Sequence, residues 1–125
     1  MLRIKNLGVG TDIESIDRFR ALDLENDKAF FDKVFTKKEL DYSFSKKKPA
    51  HHLAARYVGK EAVIKALNSI GRENLDFKKV EISNNESGAP VAKINDAAYS
   101  NLKVYISLSH CEDKAIAFAI VMENE

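Results

Sequence analysis

The chain has 125 residues, 45% of them hydrophobic and 31% charged, and its formal net charge is +1. That length supports one domain, residues 1–125, with a real core and leaves no room for a second. The near-neutral balance is not that of a nucleic-acid binder, and no apolar run approaches the ~18 residues of a membrane span.

The opening "MLRIKNLGVG" has no signal-peptide core, and the single cysteine, Cys111, cannot form an internal disulfide. Both fit a reducing cytoplasm, with no nucleic acid and no membrane among the expected partners.

In chain order, "LGVGTDI" predicts a strand and "SIDRFRAL" a helix with Ser15 as its N-cap. "NDKAFFDKVF" predicts a second helix. "TKKELDYSFS" predicts a third, opened by a capping box of Thr36 and Glu39. Pro49 suits the first turn of a long helix, "PAHHLAARYVGKEAVIKALN", and Gly71 falls where its C-terminal cap belongs. "KKVEIS" and "APVAKI", joined by the turn "NNESG", predict a hairpin. "DAAYSNL" predicts a short helix after Asn95. "VYISLSH" and "KAIAFAIVM" predict two buried strands linked by "CED". The fold class expected is α+β, an antiparallel sheet packed on one long helix.

Charge is unevenly spread. Residues 31–65 carry nine Lys+Arg against four Asp+Glu, whereas residues 66–125 carry six against nine. A basic middle third suits an anionic partner, or equally a solvated face.

Three places could carry chemistry. In the first strand, alternation puts Leu7, Val9, Thr11 and Ile13 on one face and Gly8, Gly10, Asp12 and Glu14 on the other. The first face is expected to pack. The second then presents two carboxylates beside two residues without side chains, where a ligand can approach the backbone. Two neighbouring carboxylates repel unless a cation lies between them, and oxygen donors suit Mg²⁺. The alternative is a frayed strand end that caps the next helix.

In the long helix, Ala54, Tyr57, Val58, Glu61, Ala62 and Lys65 share a face that is apolar except for Glu61 and Lys65. An i, i+4 surface bridge would explain the pair. Its position on a core-like stripe points instead to a site or a subunit interface.

His110 ends "SLSH", where a structural polar role is the commoner one. Cys111 points away from it, which argues against a nucleophilic pair, and the adjacent His51 and His52 lack the spacing of a helical zinc pair. No phosphate-binding loop, dinucleotide fingerprint, nucleophile elbow or cysteine zinc pattern is present.

"GVGTDIESIDRF", "FTKKEL", "LAARYVGKEAVIKAL", "SGAP" and "YISLSH", in this order, closely resemble the small 4′-phosphopantetheinyl transferases of the holo-acyl-carrier-protein synthase type. The resemblance runs from about Gly8 to Val121, and its paired signature is Gly10-x-Asp12 with Lys60-Glu61-Ala62-x-x-Lys65-Ala66. It implies that fold and a Mg²⁺-dependent transfer of phosphopantetheine. The group passes from coenzyme A to a serine of an apo acyl carrier protein, releasing adenosine 3′,5′-bisphosphate.

By the same resemblance, Asp12 and Glu61 match the metal-binding acids, and Lys65 the lysine that steadies the pyrophosphate. Asp12, Glu61 and Lys65 thus form the implied catalytic set. Arg56, Lys65 and His110 would line the coenzyme A site, and Arg18 would dock the acidic carrier protein. The resemblance further implies a cytoplasmic homotrimer serving fatty acid biosynthesis. Each active site would be shared, with His110 facing Asp12 and Glu61 of a neighbouring subunit.

Two positions depart from the pattern. The small synthases often lack an acid at Glu14, while larger pseudo-dimeric relatives carry Gly-x-Asp-x-Glu and use it on the metal, which makes Glu14 a candidate third ligand. Cys111 stands where threonine is frequent. Glu39 is explained by its capping box and stays outside the catalytic set. Two rival readings are a metal-dependent hydrolase of coenzyme A-like pyrophosphates and a non-catalytic carrier-protein or nucleotide-binding module.

Overall fold

The structure is a computed structural model that describes residues 3–125. Among these residues, five strands and four α-helices follow one another as β1 (Ile4–Ser15), α1 (Ile16–Arg20), α2 (Lys28–Val34), α3 (Lys37–Phe44), α4 (Pro49–Ser69), β2 (Val80–Asn84), β3 (Pro90–Ile94), β4 (Leu102–His110) and β5 (Lys114–Asn124). The α+β class is as expected, but the strands divide into two antiparallel sheets. One has the order β1-β5-β4, and the other is the β2-β3 hairpin. The segment read as a short helix after Asn95 closes into a single 3-10 turn, Ala97–Tyr99. Asp96 caps it, its carboxylate accepting from Ala98 N at 3.0 Å.

Local signals hold where the chain's own backbone decides the matter. Thr36 Oγ1 accepts from Glu39 N at 3.3 Å, and Glu39 Oε1 accepts from Thr36 N at 2.9 Å, completing the capping box of α3. Pro49 opens α4. At its other end Gly71 adopts φ +82°, with Arg72 N donating to Leu67 O at 2.9 Å and Gly71 N to Asn68 O at 3.1 Å. That is a Schellman stop, which a side chain at Gly71 would strain. Ser15 precedes α1 but makes no capping bond.

The faces of β1 are the reverse of the expectation. Gly8 and Gly10 are buried, whereas Leu7 and Ile13 are 58% and 59% exposed. The reason is α4. A Cβ on Gly10 would lie 2.1 Å from Ala62 O, and one on Gly8 would lie 2.3 Å from Ala66 O. The glycines therefore admit a helix backbone, not a ligand.

Across the sheet, Ala115, Ala117, Ala119 and Val121 of β5 meet the same helix, all fully or almost fully buried. Small residues on both elements let α4 lie close against the sheet. The opposite face of the sheet carries Leu7, Val9, Ile13, Tyr105, Ile116 and Phe118 in the open.

The deepest charges are on residues that no periodicity singled out. Lys60 and Glu39 have fully buried side chains, with Nζ 2.7 Å from Oε1. Lys60 also donates to Phe77 O at 3.0 Å and to Val80 O, and Glu39 Oε2 accepts from Ile82 N at 2.7 Å. The pair thus ties α3 and α4 to the base of the β2-β3 hairpin.

Candidate active site

The close approach of α4 to β1 brings the first two candidate regions together. Lys65 Nζ stands 3.0 Å from Asp12 Oδ1 and donates to Thr11 O at 3.2 Å. Asp12 Oδ2 is buried and has no hydrogen-bond partner. Neither Glu61 nor Lys65 interrupts the core. Lys65 is exposed and Glu61 half-buried, at the rim of the helix–strand seam.

Glu61 Oε1 accepts a hydrogen bond from the Tyr57 hydroxyl at 3.2 Å. Burial, with the Asp12 charge next and Glu14 adding to it, raises the Glu61 carboxyl above the ordinary carboxylate range. The bond to Asp12 raises the Lys65 ammonium. Burial raises the Tyr57 phenol, so at neutral pH it is protonated and donates.

Glu14 lies at the end of the same strand face. Its Oε2 is 3.2 Å from an Arg18 guanidinium nitrogen, one helical turn on. That guanidinium lies 4.9 Å from the centre of the Tyr57 ring and 5.5 Å from that of Phe30. Arg18, expected only at the carrier surface, therefore also touches the residues around the carboxylates.

His110 is elsewhere. Register places Glu14 opposite Ala115 of β5, and Ala115 opposite His110 of β4, so His110 stands on the other outer strand from Asp12 and Glu14. Two strand spacings are about 10 Å. His110 packs edge-on against His51, with ring centres 5.7 Å apart, and lines a cavity of ≈ 290 Å³ with Lys48, His51, His52 and Ala55.

Arg56 lies in a third place. Its guanidinium stacks over Tyr42 at 4.0 Å and donates to Asn84 Oδ1 at 2.8 Å. Its Nε is buried without a partner, and it lines a second cavity of ≈ 290 Å³ with Lys38, Tyr42, Ser83 and Asn84.

The donor set suits Mg²⁺. It consists of carboxylate oxygens, one of them buried and unpartnered, where burial first and the Asp12 charge second hold back the ionisation of Glu61. Among the described residues no three His, Cys, Asp or Glu side chains stand close enough to hold an ion unaided. Water and substrate oxygens would complete such a shell, as is usual for this ion.

A strand–helix seam carrying an acid cluster and a lysine, on a chain with a histidine-lined and an arginine-lined cavity elsewhere, carries the groups that a site for a phosphorylated substrate needs. Residues 8–119 match the model of the 4′-phosphopantetheinyl transferase superfamily, and the chain belongs to that family.

The particular relatives are of one kind. The chain is 42% identical over 114 residues to a holo-[acyl-carrier-protein] synthase of Thermodesulfovibrio yellowstonii, covering 91% of this chain and 96% of that one. It is similar to the crystal structure of the holo-[acyl-carrier-protein] synthase of Neisseria meningitidis, with TM-score 0.75 and 31% identity over 93% of this chain and 97% of that one. An ACPS–CoA complex of Chronobacterium ammoniagenes shares the fold, with TM-score 0.80 and 21% identity over 97% and 100% of the two chains.

Proposed function

We propose that this chain is a holo-[acyl-carrier-protein] synthase. It moves the 4′-phosphopantetheine group of coenzyme A onto a serine hydroxyl of an apo acyl carrier protein and releases adenosine 3′,5′-bisphosphate. Its family membership and its likeness to synthases along nearly the whole chain support the reaction. The observation that carries the site is the buried, unpartnered Asp12 Oδ2 beside Glu61 and Lys65.

Asp12 and Glu61 would hold Mg²⁺ together with water and substrate oxygens, and Glu14, the third candidate ligand, would add its charge from its place beside Arg18. Bound there, the ion supplies neutralisation of the pyrophosphate charge. Lys65, released from Asp12, would hold the 5′-phosphate of adenosine 3′,5′-bisphosphate as the bridging bond from its oxygen to the transferred phosphorus breaks; the serine oxygen bonds to that phosphorus in its place and its proton passes to solvent. Arg56 and His110 bind the nucleotide end of coenzyme A in their cavities. The exposed face of Arg18, next to the basic middle third, meets the acidic carrier.

The open apolar face of the β1-β5-β4 sheet is of a kind that other copies of the chain would cover. Together with the placement of His110 on the far strand, it supports a homotrimer whose sites are shared between neighbours. The activity would serve fatty acid biosynthesis in the cytoplasm. Among the described residues no helix is long and apolar enough to cross a membrane.

The test is intact-mass spectrometry of an apo acyl carrier protein incubated with the enzyme, coenzyme A and Mg²⁺. A mass gain of one phosphopantetheine group, lost when the acceptor serine is replaced by alanine, is the expected result. An unmodified carrier with coenzyme A consumed would show hydrolysis instead.

A further inference from the structure

Tyr57 sits among Phe19, Phe30 and Phe77, its ring stacked on that of Phe77 at 5.6 Å and 13°. In such a cluster a phenylalanine ring would fill the same space. A phenol hydroxyl placed there loses hydration and is favoured only where it finds a partner. Here the hydroxyl donates to Glu61 Oε1, at 3.2 Å, and the Arg18 guanidinium stands beside it as a donor to it.

A carboxylate on a freely turning side chain offers a cation many arrangements, most of them poor. One oxygen held by a hydrogen bond removes that freedom and leaves the other oxygen for the ion. The ring that carries the hydroxyl is itself fixed, by Phe77 and by the Arg18 guanidinium at 4.9 Å. Arg18 at the same time grips Glu14.

We infer that Tyr57 is a positioning residue for Glu61: its hydroxyl orients the carboxylate toward the cation, and its ring joins that carboxylate to Arg18 at the surface. The inference rests on the reading of Glu61 as a cation ligand. It adds that the ligand is set in place from outside the acid cluster.

The test uses Mn²⁺ as a spectroscopic stand-in for Mg²⁺. Free Mn²⁺ is followed by electron paramagnetic resonance as it is titrated into the assembled protein with coenzyme A and no carrier, so that no turnover occurs. Wild type, Asp12→Ala and Tyr57→Phe are compared. Tyr57→Phe should weaken Mn²⁺ binding about tenfold, the lower end of what loss of a ligand-orienting contact costs. Its unfolding temperature should match that of wild type, and its kcat should recover at saturating Mg²⁺.

Wild-type Mn²⁺ affinity in Tyr57→Phe, with binding abolished in Asp12→Ala, would overturn the role of Tyr57 and leave the metal site standing. No binding by wild type would overturn both. A kcat loss that saturating Mg²⁺ does not restore would show that the hydroxyl acts otherwise than through the cation.

Discussion

Lys60 Nζ lies 2.7 Å from Glu39 Oε1, and neither side chain reaches solvent. Removing one partner strands the other charge in the core. Lys60→Met should therefore cost about 3–5 kcal/mol in chemical denaturation. Lys60→Met with Glu39→Gln should recover part of that loss, because the stranded carboxylate is gone. A single variant within about 1 kcal/mol of wild type would show that the pair contributes little.

Gly10→Ala should be worse than its size suggests. The added methyl would meet Ala62 O at 2.1 Å and Ala66 N at 2.6 Å, both backbone atoms that cannot turn aside. The expected loss is about 3 kcal/mol or more, with transfer activity lost as α4 lifts from β1. Gly88→Ala is the control. It has open space around it but φ +87°, and should cost only about 1 kcal/mol while leaving activity intact.

Glu61 gives a pH-dependent signature. Burial and the Asp12 charge raise its folded pKa above the unfolded value. Ionising it therefore costs stability, a cost absent at low pH and complete above the folded pKa. Glu61→Gln should abolish transfer yet slightly stabilise the metal-free protein at neutral pH, the gain kept small by the partial solvent access of Glu61. Thermal melts should show the gain shrinking as pH falls through the carboxylate range, and shrinking again in wild type when Mg²⁺ is added. A variant less stable than wild type at neutral pH without metal would contradict the cost of burying and crowding that charge.

Arg18→Glu should raise the KM for the carrier protein and leave coenzyme A affinity unchanged, and added salt should raise the same KM in wild type. Because Arg18 grips Glu14, the reversal also sets two acids side by side, so Glu14→Gln is needed beside it. That variant should raise the Mg²⁺ half-saturation severalfold at an unaltered carrier KM. An unchanged Mg²⁺ titration would leave Glu14 as a support for Arg18 alone.

Asp12→Ala and His110→Ala, each inactive alone, should complement each other when unfolded together in equal amounts and refolded. In a ring whose sites are shared, about a quarter of the interfaces receive both intact residues. No recovery, in a mixture shown to have exchanged subunits, would place both residues in one chain.

Much of this molecule is legible in its sequence, and the limit is physical. The capping box of Thr36 and Glu39 and the stop at Gly71 depend on neighbours a few residues away, so the local string specifies them. Alternation along β1 separates two faces but cannot say which faces inward. Leu7, Val9 and Ile13 suggested the wrong answer, because an apolar face can await a partner and a glycine face can admit a helix. Asp12, Glu61 and Lys65 stood out as charges in unlikely places. Lys60 did not, since it lies off the stripe that drew attention to Glu61, and its partner is on another helix. The bond from Tyr57 to Glu61 joins neighbouring turns of one helix, yet Tyr57 read only as part of an apolar stripe.

The contact of α4 with β1 at Gly8 and Gly10 also governs how the site fails. Backbone meets backbone there, so the gap between Asp12 and Glu61 is not relayed through side chains that can repack. Warming can soften the aromatic cluster around Phe30 without widening that gap. The site has no gradual route to disorder: it survives until the helix leaves the strand, and then it is lost at once. Thermal inactivation should follow a single transition, coincident with global melting, with no folded but inactive form before it.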